Sequence, residues 1–176
     1  KTHTDLATTV TLNNIAQDLE GDQVLWRIVG ATHGSARFSG DGQSVLFTPE
    51  LGFVGQATIT VLADDGFAAS SPIELMVNVS GAKLLAIHLA PLPSLRPGAS
   101  AVIKATADFT DEKGVNVSAS SSYLTVSTAD LSGMGLVGTP QIEADDSRDL
   151  IRATGSGPAL VVVTRIDTDG RTVRAV

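Results

Sequence analysis

The sequence predicts an all-β protein built as two tandem β-sandwiches, residues 1–81 and residues 82–176. Three observations point there. Apolar residues recur with a period of two, Asp-Gly and related turn pairs punctuate the runs, and 176 residues hold two β-domains of the usual ~100-residue size. No window carries apolar residues at i, i+3, i+4 and i+7, so very little helix is expected.

Along the first half, Trp26 alternates with Val24 and Ile28 and is expected to pack in the core. Ala36-Arg37-Phe38 and Val45-Leu46-Phe47 flank Asp41-Gly42, a strong short-range hairpin signal. Thr58-Ile59-Thr60-Val61 alternates, Asp65-Gly66 forms a turn, and Ile73, Leu75, Val77 and Val79 then share one face of a strand. The composition shifts at Val79-Ser80-Gly81-Ala82, which places the boundary near Ser80–Lys83 and leaves a very short linker. Beyond it, Leu85, Ile87 and Leu89 open a new alternating run that Pro91, Pro93 and Pro97-Gly98 break. Ala101, Ile103, Ala105, Ala107 and Phe109 share a face, with Lys104, Thr106 and Asp108 opposite. Glu112-Lys113-Gly114 and Asp169-Gly170 are further turns.

Composition narrows the function classes. The formal net charge is −7 with twelve Lys plus Arg and no basic run, so phosphate backbones and anionic membranes are repelled and nucleic acid is not expected as a partner. Aromatic residues make up 4%, little material for stacking bases or sugars. The absence of cysteine removes disulfides, thiolate nucleophiles and thiolate-bound zinc. No apolar run approaches the ~18 residues of a membrane span, and no signal peptide is present. The start at Lys1 and the strand-like end Thr172–Val176 read as cuts inside a longer polypeptide.

Specific motifs add a resemblance. Asp18-Leu19-Glu20-Gly21-Asp22, Phe47-Thr48-Pro49, Gly52-Phe53-Val54-Gly55 and Asp64-Asp65-Gly66 occur in order over residues ~5–80, which resembles the bacterial cadherin-like tandem repeat. Glu20 stands where that family has its central Asp, and Asn78-Val79-Ser80-Gly81 occupies the region of the true cadherin linker. Residues ~83–176 resemble the bacterial immunoglobulin-like module of intimin- and invasin-type adhesins. The matching segments are Leu95-Arg96-Pro97-Gly98, Ala105–Asp111, Tyr123–Ser127 and Gly155–Ala159 before Val161-Val162-Val163. Both resemblances imply immunoglobulin-like Greek-key sandwiches in an extracellular or cell-surface protein.

The acidic residues are the candidate site. Asp18, Glu20 and Asp22 lie in one loop, and the family fold would bring Asp64 and Asp65 close, giving carboxylates for a calcium ion that wants six to eight oxygens. The alternative is that Asp and Gly only form turns there. Asp167-Thr168-Asp169-Gly170 opens like an EF-hand loop but continues Arg171-Thr172-Val173-Arg174, without the remaining ligands, and reads as a hairpin turn. His3, His33 and His88 are scattered and expected on the surface, with His88 in the outward phase of its strand. No Gly-x-Ser-x-Gly elbow, P-loop or dinucleotide fingerprint occurs, so no catalytic residue is assigned.

The expected function is therefore structural: non-catalytic spacer modules in a larger bacterial surface or secreted protein, requiring no cofactor beyond possible calcium. The expected partners are the neighbouring domains of the same polypeptide. The alternative is an accessory module of a secreted enzyme that binds a carbohydrate or a host protein.

Overall fold

The computed structural model describes residues 1–13, 15, 24–40, 42–64, 68–117, 123–129, 142–145, 150–155 and 159–176. Among these residues every regular element is a strand. The chain divides into two compact units, Lys1–Gly81 and Ala82–Val176.

The first unit has β1 (Thr2–His3), β2 (Thr8–Thr11), β3 (Leu25–Ala31), β4 (Gly34–Phe38), β5 (Ser44–Pro49), β6 (Gly55–Asp64) and β7 (Ile73–Ser80). One sheet has the order β1-β7-β6-β3 and the other β2-β5-β4. These are the two layers of an immunoglobulin-like Greek-key sandwich, with the first strand moved across to pair with the last. The alternation read in the sequence places the core. Ala57, Ile59 and Val61 of β6 and Val77 and Val79 of β7 point inward against Val45 and Phe47 of β5. Trp26 and Ile28 pack against that cluster half-buried. Each large side chain buried here contributes roughly 1.5–3 kcal/mol, enough for the inward row to hold the register. The β4–β5 hairpin forms with Ala36 opposite Phe47 and Phe38 opposite Val45. Asp41 and Asp65-Gly66 lie outside the described residues.

Val29 in β3 is an extra residue, because Ile28 faces Val61 while Gly30 faces the adjacent Thr60. The bulge turns Val29 out to solvent.

The second unit has β8 (Leu84–Leu89), β9 (Ser100–Val102), β10 (Ala105–Phe109), β11 (Val115–Asn116), β12 (Thr125–Ala129), β13 (Ile142–Asp145), β14 (Leu150–Ala153), β15 (Leu160–Ile166) and β16 (Thr172–Ala175). Its pairings are β11-β10-β8, β13-β14-β9 and β12-β15-β16. β9 and β10 belong to one run broken only at Ile103 and Lys104, so this run pairs with β14 in its first part and with β8 and β11 in its second. Ile103, Ala105, Ala107 and Phe109 are all buried and Lys104 is exposed, so the predicted face is kept through the break.

One expectation about β8 fails. Leu84 is fully buried, whereas Leu85 is 48% exposed. Ala86 faces Asp108 and Leu84 faces Phe109, so Leu85 is an extra residue in a second bulge. The bulge shifts the phase by one, sending Leu84 rather than Leu85 into the core alongside Ile87.

Candidate functional site

Of the five carboxylates in the candidate calcium site, Asp64 is described, and Asp18, Glu20, Asp22 and Asp65 lie outside the described residues. Asp64 ends β6 opposite Leu25, and its Oδ2 lies 3.3 Å from Nη2 of Arg27 on the neighbouring strand β3. Among the described residues no group of three or more His, Asp or Glu side chains converges as a metal would require.

Asp167-Thr168-Asp169-Gly170 forms the turn between β15 and β16, as the sequence indicates. Its carboxylates serve the main chain. Asp167 Oδ1 accepts the N–H of Thr168 at 2.9 Å, and Asp169 Oδ1 accepts that of Arg171 at 3.1 Å. The Arg171 N–H, with Lys83 adding to it, holds the Asp169 carboxyl below the usual Asp value.

The Gly52-Phe53-Val54-Gly55 motif has a structural explanation. Gly52 and Gly55 take φ of 73° and 139°, conformations that side chains disfavour. A Cβ on Gly55 would also stand 3.3 Å from the Phe53 ring. That ring also stacks on His33, with centroids 4.3 Å apart and planes within 7°. His33 is left-handed (φ 54°), and its carbonyl accepts the Glu50 N–H at 2.9 Å. Asp5, the other left-handed non-glycine among the described residues (φ 62°), accepts the Gly52 N–H at 2.7 Å. Two strained residues from separate loops thus pin the β5–β6 turn. The motif builds a rigid end of the sandwich.

The histidines divide. His33 and His88 are exposed, but His3 is only 1% exposed, which corrects the surface expectation. β1 pairs in parallel with β7, Thr2 opposite Val79 and His3 opposite Ser80, and the Leu6 N–H folds back onto the His3 carbonyl at 3.0 Å. The Ser80 carbonyl then receives the Thr4 N–H at 2.9 Å and the Thr4 hydroxyl at 3.1 Å. In the second unit, His88 Nε2 lies 3.1 Å from Asp108 Oδ2 across the β8–β10 pair. The Gly114 N–H, and then His88, hold the Asp108 carboxyl below the usual Asp value.

The second unit also contains a cleft of about 410 Å³ lined by Leu89, Pro91, Leu92, Leu95, Ile151 and Leu160. Apolar side chains dominate this lining, which offers shape rather than acid–base chemistry.

Residues 1–78 match the family model of the bacterial Ig domain, Big_9. Domains of that family are typically non-catalytic, are commonly modules of larger proteins, and often occur in surface or secreted ones. No curated protein matches the chain. Among solved structures, the chain is similar to an endo-fucoidan hydrolase, MfFcnA4 from glycoside hydrolase family 107. The identity is 14% over 98% of this chain and 26% of that one, with a TM-score of 0.36. It is also similar to the protocadherin GammaB4 extracellular domain, at 15% identity over 86% of this chain and 26% of that one, with a TM-score of 0.29. The chain thus spans about a quarter of the length of either structure. Among the described residues no helix is long and apolar enough to cross a membrane.

Proposed function

We propose that the chain is a pair of non-catalytic spacer modules within a larger bacterial surface or secreted protein of the adhesin kind. One observation carries the reading: β1, which leads into the first unit, is paired in parallel with β7, which leads out of it. Tension along the polypeptide pulls β1 backward and β7 forward. The bonds between them then lie across the pull and must break together, not one after another.

Thr4 reinforces the same place by giving the Ser80 carbonyl two donors at the point where the chain leaves β7. Thr2, His3 and Thr4 are all buried there, so water competes poorly for these bonds. The match of residues 1–78 to a bacterial Ig domain family supports the setting, a module among other modules. Its partners are then the neighbouring domains of the same polypeptide, and no side chain has a chemical role.

Stretching single molecules from the two ends tests the reading. The expected record is two abrupt unfolding events, with no saturable retention on a glycan array or in a host-protein pull-down. Gradual extension at low force would remove the spacer reading. Saturable glycan or protein binding would put the accessory binding module in its place.

A further inference from the structure

Tension passing out of the first unit reaches the second at Lys83 and at Leu84, the first residue of β8. Both main-chain polar groups of Leu84 are gripped there by side chains of the β15–β16 turn. Its N–H donates to Asp167 Oδ2 at 3.1 Å, and its carbonyl accepts from Nη2 of Arg171. On the opposite side, β8 is held by its ladder to β10 and by the Thr110 N–H on the Lys83 carbonyl at 3.0 Å. The bulge at Leu85 places the Leu84 side chain in the core, where it is fully buried.

The gripping residues are themselves held in place. The Asp167 N–H bonds the Arg171 carbonyl at 2.8 Å, and the Gly170 N–H bonds the Asp167 carbonyl at 2.9 Å, closing the turn. Asp167 Oδ1 is occupied by the Thr168 N–H, which leaves Oδ2 directed at Leu84. Lys83 Nζ lies 3.5 Å from Asp169 Oδ2 on the exposed side of the same turn.

We propose that this turn is a clamp that takes up tension where the chain enters the second unit: Asp167 and Arg171, holding the main chain of Leu84, set the force at which β8 is pulled away. The inference rests on the spacer reading for its use in the whole protein. Hydrogen bonds to a carboxylate or a guanidinium are roughly twice as strong as neutral ones. These two are also among the first contacts that a pull on residue 82 meets. Equilibrium stability is instead spread over the whole core, including Ile87, Phe109, Tyr123 and Val163. The clamp therefore contributes more to mechanical resistance than to the free energy of unfolding.

The test uses the whole 176-residue chain in force spectroscopy, with the first unit's event as the internal reference. Asp167→Ala and Arg171→Ala are compared with Val163→Ala, a fully buried core position, after urea denaturation has measured the equilibrium loss of each. At a fixed load the two clamp variants are expected to unfold the second unit about tenfold faster or more, the equivalent of one charge-assisted bond missing from the barrier. Val163→Ala, at an equal or larger equilibrium loss, is expected to change that rate far less. With handles moved to the exposed Lys113 and to residue 176, the pull no longer enters through β8 and the clamp effect is expected to vanish. Asp167→Asn, whose single uncharged acceptor oxygen cannot serve both the Thr168 and the Leu84 N–H, gives the same comparison if an alanine variant fails to fold. Rates that follow equilibrium loss for all variants, or a clamp effect that survives the new handles, overturn the clamp. Either result leaves the spacer reading standing, because that reading is tested on the first unit and by ligand screening.

Discussion

Asp108 accepts the main-chain N–H of Gly114 through Oδ1 at 2.9 Å, which ties the end of β10 to the turn that starts β11. Its other oxygen faces His88 Nε2 at 3.1 Å. Both contacts favour the ionised carboxylate and lower its pKa in the folded state. A group whose folded pKa is depressed stabilises the fold above its unfolded pKa and loses that contribution as pH falls through the folded value. The second unit is therefore expected to lose stability below about pH 4. Urea midpoints between pH 7 and pH 2 should fall less steeply for Asp108→Asn than for the parent. Some slope should remain, because Asp169 is depressed as well, first by the Arg171 N–H. An unchanged slope would show that the Gly114 bond is not kept in solution.

Gly34 tests the packing of the first unit. A Cβ at that position would stand 2.5 Å from the Thr48 carbonyl oxygen and 2.6 Å from Cζ of Phe47, the largest fully buried side chain among the described residues. Neither the backbone of β5 nor a ring locked in the core can move away cheaply. Gly34→Ala should cost about 1–3 kcal/mol, as overpacked cores do. Gly40, with nothing within 4 Å of its added Cβ, is the control and should stay within about 0.5 kcal/mol. Only the unfolding transition of the first unit should move. Equal effects at the two positions would mean that Gly34 is not in close contact.

Much of this architecture is legible in the sequence because a period-two pattern and a buried sheet face are one physical fact. The faces of β6, β7 and the 101–109 run follow from it, and the β4–β5 and β15–β16 turns follow from Asp-Gly pairs. Strict alternation misleads where a strand carries an extra residue. Leu84-Leu85 fits the alternating frame in either phase, and the choice is made by Phe109 and Ala107 across the pair, which a local pattern does not contain. The consecutive leucines were the available signal. His3 was hidden for a related reason, since its burial depends on pairing with Ser80, far away in sequence. The clamp on Leu84 likewise joins residues more than eighty positions apart. The Gly-Phe-Val-Gly motif is legible as a motif, while its role depends on contacts with His33 and Asp5 from other loops.

His33 separates strain from stacking at that end of the first unit. Its left-handed backbone costs a residue with a Cβ about 1–2 kcal/mol, and its ring recovers about 0.5–1.5 kcal/mol against Phe53. His33→Ala keeps the strain and removes the stack, so it should destabilise. His33→Gly removes both and should be more stable than His33→Ala by about 1 kcal/mol in urea unfolding of the first unit. The opposite order would mean that the backbone at 33 relaxes out of the left-handed region in solution.

Asp64 offers a test of calcium binding. A calcium ion needs six to eight oxygens, and an oxygen of Asp64 faces the guanidinium of Arg27 at 3.3 Å. A divalent ion joining Asp18, Glu20, Asp22 and Asp65 at that carboxylate would meet the Arg27 charge at close range and would have to displace it. The expected result is equal Tm for the first unit in millimolar calcium and in chelator. A ligand bound only by the native state at a hundred times its Kd adds about 2.7 kcal/mol, which in a unit of this size moves Tm by about 10 °C or more. Such a rise would assign the acidic loop to calcium. It should then be lost in Asp18→Asn or Asp22→Asn and enhanced in Arg27→Ala, where the competing charge is gone. If Arg27→Ala shows no calcium response either, the acidic residues act as turn formers, and the first unit is held without metal by contacts such as the Phe47 core and the β1–β7 pair.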